Sequence, residues 1–196
     1  MQKIEFFFEF ASTYSYLSVM RIEKLIQNSS IEILWRPFLL GPIFKEQGWN
    51  DSPFNVYPAK GKYMWKDMQR RSRKYGIDFL IPNVFPRNGL LASRIAIANE
   101  TQPWISSFIR ETFQANFAQD QDISSRDVLT PILKKIGVNS EEILQGTSNE
   151  EIKNRLRKQT ERAASLGIFG APSFIVNEEL FWGDDRLEDA LEELRR

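Results

Sequence analysis

The sequence predicts an α/β fold made of an opening βαβ unit, a long helical stretch and a closing ββα unit. Three observations carry this expectation. Ile4 to Phe10 is a near-continuous apolar run. Ile31 to Phe38 is a second β-rich run, separated from the first by a helical pattern. Two short apolar runs, Ser173 to Val176 and Leu180 to Trp182, lie near the far end and lead into a last helical pattern.

The first run is apolar at almost every position, which suits a central strand covered on both faces. From Thr13 the residues Tyr16, Leu17, Met20, Ile22 and Leu25 recur at helical spacing, and the helix should fray at Gln27-Asn28-Ser29-Ser30. A strand, a helix and a second strand in this order imply parallel strands. Leu39 to Tyr57 holds Gly41, Pro42, Gly48, Asn50, Asp51 and Pro53, and reads as an irregular loop with short turns. A helix is expected from Pro58 to Tyr75, with proline at its start and Gly76 just past its end. Asn83 to Pro86 reads as a turn, and further helices are expected over Leu90–Ala98, Trp104–Ala118, Val128–Ile136 and Ile152–Ala164. Asn177-Glu178-Glu179 reads as a hairpin turn, and Asp184 to Arg196 as a helix with Leu187, Ala190, Leu191 and Leu194 on its apolar face. This order is that of a thioredoxin-like core (βαβ … ββα) interrupted by an all-helical insert. The expected boundaries are 1–57 and 167–196 for the two parts of the core and 58–166 for the insert.

Composition limits the chemistry. Lys plus Arg equals Asp plus Glu at 26 each, so no global field recruits nucleic acid or an anionic membrane, and neither is expected as a partner. The chain has no Cys and no His. Disulfide exchange, cysteine nucleophiles, serine–histidine pairs and the usual zinc ligand sets are therefore excluded, and no metal is expected. Any thiol chemistry must use a sulfur brought by a bound small molecule. Glu5 and Glu9 interrupt the first apolar run, which is wrong for a signal peptide or a spanning helix, and a cytoplasmic location is expected.

Ser12 sits at the junction of the first strand and first helix, where a hydroxyl can cap the helix or hold an anion or thiolate beside its positive end. Thr13 and Ser15 bring further hydroxyls to the same helix start, beside Tyr14 and Tyr16, and read as parts of one polar pocket. Pro172 follows Ala171 and precedes a strand; it is either a strand-initiating proline or, as in a thioredoxin-like core, a cis proline that exposes the preceding backbone to an extended ligand. In Trp182-Gly183-Asp184-Asp185-Arg186 either aspartate can cap the last helix, leaving the other to catch an α-ammonium group. Lys45, Lys60 and Lys62 flank the irregular loop and are candidates for meeting carboxylates. Asn88 either caps the following helix or points its amide into the cleft. Aromatic residues are dense around this region, and a few could line a pocket for a flat ring.

These pieces resemble 2-hydroxychromene-2-carboxylate isomerases and the related kappa-class glutathione transferases. The carriers are Phe8 to Leu17, Pro58 to Asp67, Phe85-Pro86-Arg87-Asn88, Phe169 to Ser173 and Phe181 to Leu187, so the resemblance spans essentially the whole chain. It implies glutathione as cofactor, with Ser12 as the catalytic residue hydrogen-bonded to its thiolate. It also implies that the backbone at Ala171 and Pro172 pairs with the cysteinyl unit, and that Trp182, Gly183, Asp184 and Asp185 hold the γ-glutamyl end. Substrate would lie near Lys45, Asn55 and Asn88, and the chain would form a homodimer. Thr13 stands where many relatives have proline.

The resemblance points to a glutathione-dependent isomerase of 2-hydroxychromene-2-carboxylate or a similar arylidene pyruvate in aromatic-compound degradation, acting by reversible thiolate addition and bond rotation. A kappa-like transferase conjugating glutathione to electrophiles would use the same site. A non-catalytic thioredoxin-fold binder of peptide or glutathione is the third reading.

Overall fold

The computed structural model describes residues 2–195. Strand β1 (Gln2–Phe8) pairs in parallel with β2 (Ile31–Pro37) across helix α1 (Thr13–Ile26), as the opening βαβ pattern requires. Strands β3 (Ser173–Val176) and β4 (Glu179–Trp182) form an antiparallel hairpin, and β3 runs antiparallel to β1. The sheet order is β2-β1-β3-β4, so the two ends of the chain meet at its centre.

Burial explains the apolar run of β1. Alternate side chains point to opposite faces of a strand, and both faces here are covered. Phe6 and Phe8 enter the larger core, where Phe6 meets Trp35 and Phe174 at ring separations of 5.4 and 4.8 Å. Phe7 enters a second cluster with Phe38, Ile43, Ile168 and Ile175. The strand stops at Phe8, two residues before the expected Phe10. There the chain turns: the Ser12 amide donates to the Glu9 carbonyl at 2.9 Å, and the Asn116 side-chain amide donates to the Phe10 carbonyl at 2.9 Å. Phe10 stays buried because the turn aims it at Phe108 and Phe113 in the helical layer.

Leu39 to Tyr57 is not a loop with turns. It carries helices α2 (Leu40–Glu46) and α3 (Pro53–Val56). The prolines that looked like breakers lie in first turns, Pro42 in α2 and Pro53 at the start of α3, where a missing N–H costs nothing. Ser52 caps α3 by accepting from the Phe54 amide. Helix α4 spans Pro58–Tyr75 as expected, closed by Gly76 in the left-handed conformation (φ 65°).

Helices α5 (Leu90–Ala98), α6 (Ile105–Phe117), α7 (Arg126–Lys135) and α9 (Glu150–Ser165) match the expected positions to within two residues at each end. Helix α8 (Ser140–Gly146) was not anticipated, although Asn139 announces it by accepting from the Glu141 and Glu142 amides. After β4 a single 3₁₀ turn, Asp184–Arg186, precedes α10 (Leu187–Glu193), so the last helix starts later than expected. Neither Asp184 nor Asp185 caps it through its side chain. No helix among the described residues is long and apolar enough to cross a membrane.

The corner between α3 and α4 forms one wall of the cleft described below, and Gly61 permits it. A Cβ at Gly61 would fall on the Phe54 carbonyl oxygen, a backbone atom that cannot swing away. Gly61→Ala is therefore expected to destabilise the protein by about 1–3 kcal/mol. Thermal melting checks this, and an unchanged midpoint would show that the corner relaxes freely.

Candidate active site

A cleft of about 1060 Å³ opens beyond the end of β1, between the sheet and the helical layer. Ser12, Ala171, Trp182, Gly183, Asp184, Asp185, Lys45 and Asn88 all line it, although they lie as far apart as positions 12 and 185 in the chain. Pro172 and Asn55 do not line it. Pro172 holds the chain entering β3, and its peptide bond with Ala171 is cis. The Asn55 amide is turned to the Asp51 carboxylate and to the Phe85 carbonyl at 3.2 Å, which commits its donors to a neighbouring loop.

Ser12 does two things at once. As the N-cap of α1, its Oγ accepts from the Ser15 amide at 3.1 Å, while its carbonyl accepts from the Tyr16 amide. Its own hydroxyl donates to the Ala171 carbonyl at 2.9 Å, tying the start of the fold to its end across the cleft. The hydroxyl therefore sits at the positive end of α1 with one proton that can be redirected, because an O–H rotor turns to suit its acceptor. The Thr13 and Tyr14 amides open the helix and have no intrahelical acceptor.

The three-hydroxyl pocket read from the sequence is not formed. Thr13 sends its hydroxyl to the Met64 sulfur at 3.3 Å. Ser15 is fully buried, and its hydroxyl has no partner among the described residues. Helix α1 is packed on most of its circumference, so of these three hydroxyls only that of Ser12 is offered to the cleft. Tyr14 lines the cleft and donates to Asp67 at 3.0 Å; burial and the Asp67 carboxylate raise its pKa and keep the phenol protonated. Tyr16 is a core residue whose hydroxyl donates to the Asp78 carbonyl.

The two aspartates separate clearly. Asp184 is 2% exposed, and its carboxylate takes Ser18 at 2.9 Å, Arg21 at 3.0 Å and Arg71 at 3.2 Å. Burial raises its pKa above the usual aspartate value, while the two guanidiniums and the Ser18 hydroxyl pull it down. Asp185 has an exposed side chain, and among the described residues its one ion pair is with Arg186, at 3.8 Å. Gly183 between β4 and this turn has φ 109°, a conformation that suits glycine and lets the chain bend across the cleft mouth.

Aromatic rings form the remaining walls. Phe169 and Trp182 pack at 4.7 Å on one side, and Phe44 and Trp49 at 5.6 Å on another. Lys60 lies over the Phe54 ring at the rim, whereas Lys62 is not part of the lining. Asn88 both lines the cleft and steadies α5, its side-chain oxygen accepting from the Leu90 amide at 2.9 Å. Sequence reasoning missed Trp49 and Glu9 as parts of the cleft. The only sign of Glu9 was a carboxylate at the end of an otherwise apolar run.

Comparisons with known proteins agree with this fold. The family model for DSBA-like thioredoxin domains matches residues 3–195. A 2-hydroxychromene-2-carboxylate isomerase of Sphingobium xenophagum is 26% identical over 187 residues, covering 94% of each chain. Glutathione S-transferase kappa 1 of Homo sapiens is 25% identical over 199 residues, covering 94% of this chain and 87% of the human protein. A solved 2-hydroxychromene-2-carboxylate isomerase superposes with a TM-score of 0.88 over 99% of this chain and 96% of its own, at 24% identity. With strand order, hairpin and helical insert all in agreement, the chain belongs to the DSBA-like thioredoxin domain family and is related to 2-hydroxychromene-2-carboxylate isomerases and kappa-class glutathione transferases.

Proposed function

We propose that the protein is a glutathione-dependent isomerase of 2-hydroxychromene-2-carboxylate or a closely similar arylidene pyruvate. The observation that carries this reading is Ser12: in a thioredoxin-like cleft without cysteine, its hydroxyl stands at the start of α1, 2.9 Å from the Ala171 carbonyl. The residues present fit glutathione. The cleft offers a hydroxyl and a helix start for a sulfur, the backbone of Ala171 for a peptide, and the exposed Asp185 carboxylate for an ammonium group. When bound, glutathione supplies a thiolate that adds reversibly to a conjugated double bond, so that rotation about that bond becomes possible before it leaves.

The chain's part is to favour the ionised sulfur and hold both molecules. The Ser12 hydroxyl turns from Ala171 to the sulfur, and the amides opening α1 add their partial positive charge. Moving a thiol from about 8.5 to roughly 6.5 takes about 2.7 kcal/mol. A hydrogen bond to a charged group contributes about 1.5–3 kcal/mol and a helix terminus about 0.3–1 kcal/mol, which together reach that figure. The Ala171 carbonyl keeps a second lone pair for the cysteinyl backbone. Trp182 and Gly183 shape the mouth for the γ-glutamyl end, with Asp185 as its counter-charge. Lys45 is the cation for the substrate carboxylate, and Asn88 offers its amide.

Calorimetry with glutathione and a turnover assay with the chromene test this reading, and absence of both binding and turnover would overturn it. Glutathione conjugation is a second reading supported by near-equal identity to the kappa-class relatives. Turnover of a chlorinated nitroarene, with none of the chromene, would select it. Binding of glutathione with neither activity would select a non-catalytic binder. The homodimer implied by the resemblance and the cytoplasmic setting expected from the interrupted first apolar run belong to the same proposal, and sedimentation and cell fractionation test them.

A further inference from the structure

We propose that Glu9 is a further catalytic residue of this cleft, the proton donor and acceptor that opens the hemiketal ring of the substrate. The assignment rests on the isomerase reading above. Glu9 follows the last residue of β1 and lines the cleft together with Ala11 and Ser12. Its backbone carbonyl accepts from the Ser12 amide at 2.9 Å, so carboxyl and hydroxyl are carried on one tight turn.

The surroundings of Glu9 set it apart from every other carboxylate of the cleft. Asp67 from α4 accepts from Tyr14 of α1 and pairs with Arg71 at 3.2 Å. Asp184 takes Arg21 and Arg71, and Asp185 has Arg186. Asp51 takes the Ser52 amide and both of its oxygens take the Asn55 amide. Of the remaining cations, Arg87 is occupied by Asn116 and Asp120, while Lys45 of α2 and Lys60 of α4, with Tyr63, stand on the lining without reaching Glu9. Among the described residues no cation lies within 4 Å of the Glu9 carboxyl and no side chain donates to it. Glu9 is half-buried on the cleft wall, and desolvation of its carboxyl pushes it up to about 7, with the Ala11 amide the one group that works the other way. A carboxyl in this state holds its proton near neutrality and can also give it up, as proton transfer in both directions requires.

The proposed substrate needs such a group. Its hemiketal carbon carries a hydroxyl and the ring oxygen and is bonded directly to the alkene, so ring opening takes place next to the double bond that isomerises. Glu9 as the acid gives its proton to the ring oxygen while the carbon–oxygen bond breaks and leaves its electron pair on that oxygen, forming a phenol. The carboxylate then takes the proton of the hemiketal hydroxyl as an oxygen lone pair closes the ketone. Glu9 ends as it began, and one proton has moved from hydroxyl to phenol.

Because the protonated acid acts first, turnover should fall as pH rises through about 7. Glu9→Gln keeps the size of the side chain and loses the transferable proton. It should lower kcat about a hundredfold and abolish this alkaline limb, while the melting temperature and glutathione affinity stay within twofold or experimental error of the parent. An infrared titration gives a readout independent of turnover: a carboxylic C=O band that disappears as pH rises through about 7 and is missing from Glu9→Gln. A band already lost below pH ~5, the range of an unperturbed carboxyl, overturns the assignment whatever the protein's activity. A parent that turns over and a variant that matches it at every pH overturn the assignment alone. A parent that neither binds glutathione nor turns over the chromene takes down the isomerase reading, and this role with it.

Discussion

Ser12→Ala is expected to lower turnover of the chromene by about 10²- to 10³-fold, the range for losing one donor to a developing or resident anion in a dry site. Two contributions are lost with one oxygen, and they are measured separately. As N-cap, Ser12 satisfies the Ser15 amide, and replacing such a cap costs about 1 kcal/mol of stability. As donor, it is the hydroxyl at the start of α1 left to serve a ligand in the cleft, since Thr13 is bonded to Met64, Tyr14 to Asp67, and Ser15 is buried. The variant should therefore fold, melt a few degrees lower, and show a bound thiol whose ionisation returns toward the free value near 8.5. Ser12→Thr, which keeps both cap and hydroxyl, should recover most of the turnover. If Ser12→Ala melts lower yet turns over within twofold of the parent, the residue is a cap and nothing more.

Asp184→Ala should be the most destabilising single change near the cleft. It removes the carboxylate shared by Arg21 and Arg71, both of which lie in the seam between α1, α4 and the closing turn. Breaking a buried pair from one side typically costs about 3–5 kcal/mol, because the remaining charge loses its partner but not its burial. Arg21 keeps Glu188 at 2.6 Å and Arg71 keeps Asp67 at 3.2 Å, which holds the expected loss near the lower end, about 3 kcal/mol. For a chain of this length that corresponds to a fall in melting temperature of roughly 6–12 °C. Asp185→Ala should do the reverse, leaving stability within about 0.5 kcal/mol of the parent but weakening glutathione about tenfold or more. Melting curves and calorimetry on the two variants check the division of labour, and an Asp184→Ala protein that melts like the parent would show that the ion cluster contributes nothing net.

Much of the fold was legible because its signals are local. The apolar run of β1, the helical spacing from Thr13 and the Pro58 and Gly76 ends of α4 each depend on neighbours within one or two turns of the chain, and each formed where expected apart from the last two residues of the first run. The misreadings also have local causes. Pro42 and Pro53 were counted as breakers when they open helices, and Asn139 was passed over although it caps one. For the site, the sequence supplied the Ser12 junction, the Ala171-Pro172 approach to β3 and the Trp182-to-Asp185 turn, and the absence of Cys and His told what chemistry was left.

The order of the strands and of the longer helices, and the exclusion of any thiol of the chain's own, were thus determined by the amino-acid sequence alone. Only the tertiary structure decided that Asp184 is an anchor and Asp185 the open carboxylate, that Asn55 turns away, and that Glu9 stands in the cleft without a cation. The physical reason is that a side chain's charge state and availability depend on which groups from distant elements reach it and on how much water they displace. Arg21 is 163 positions from Asp184, and no pattern within either segment records that they meet.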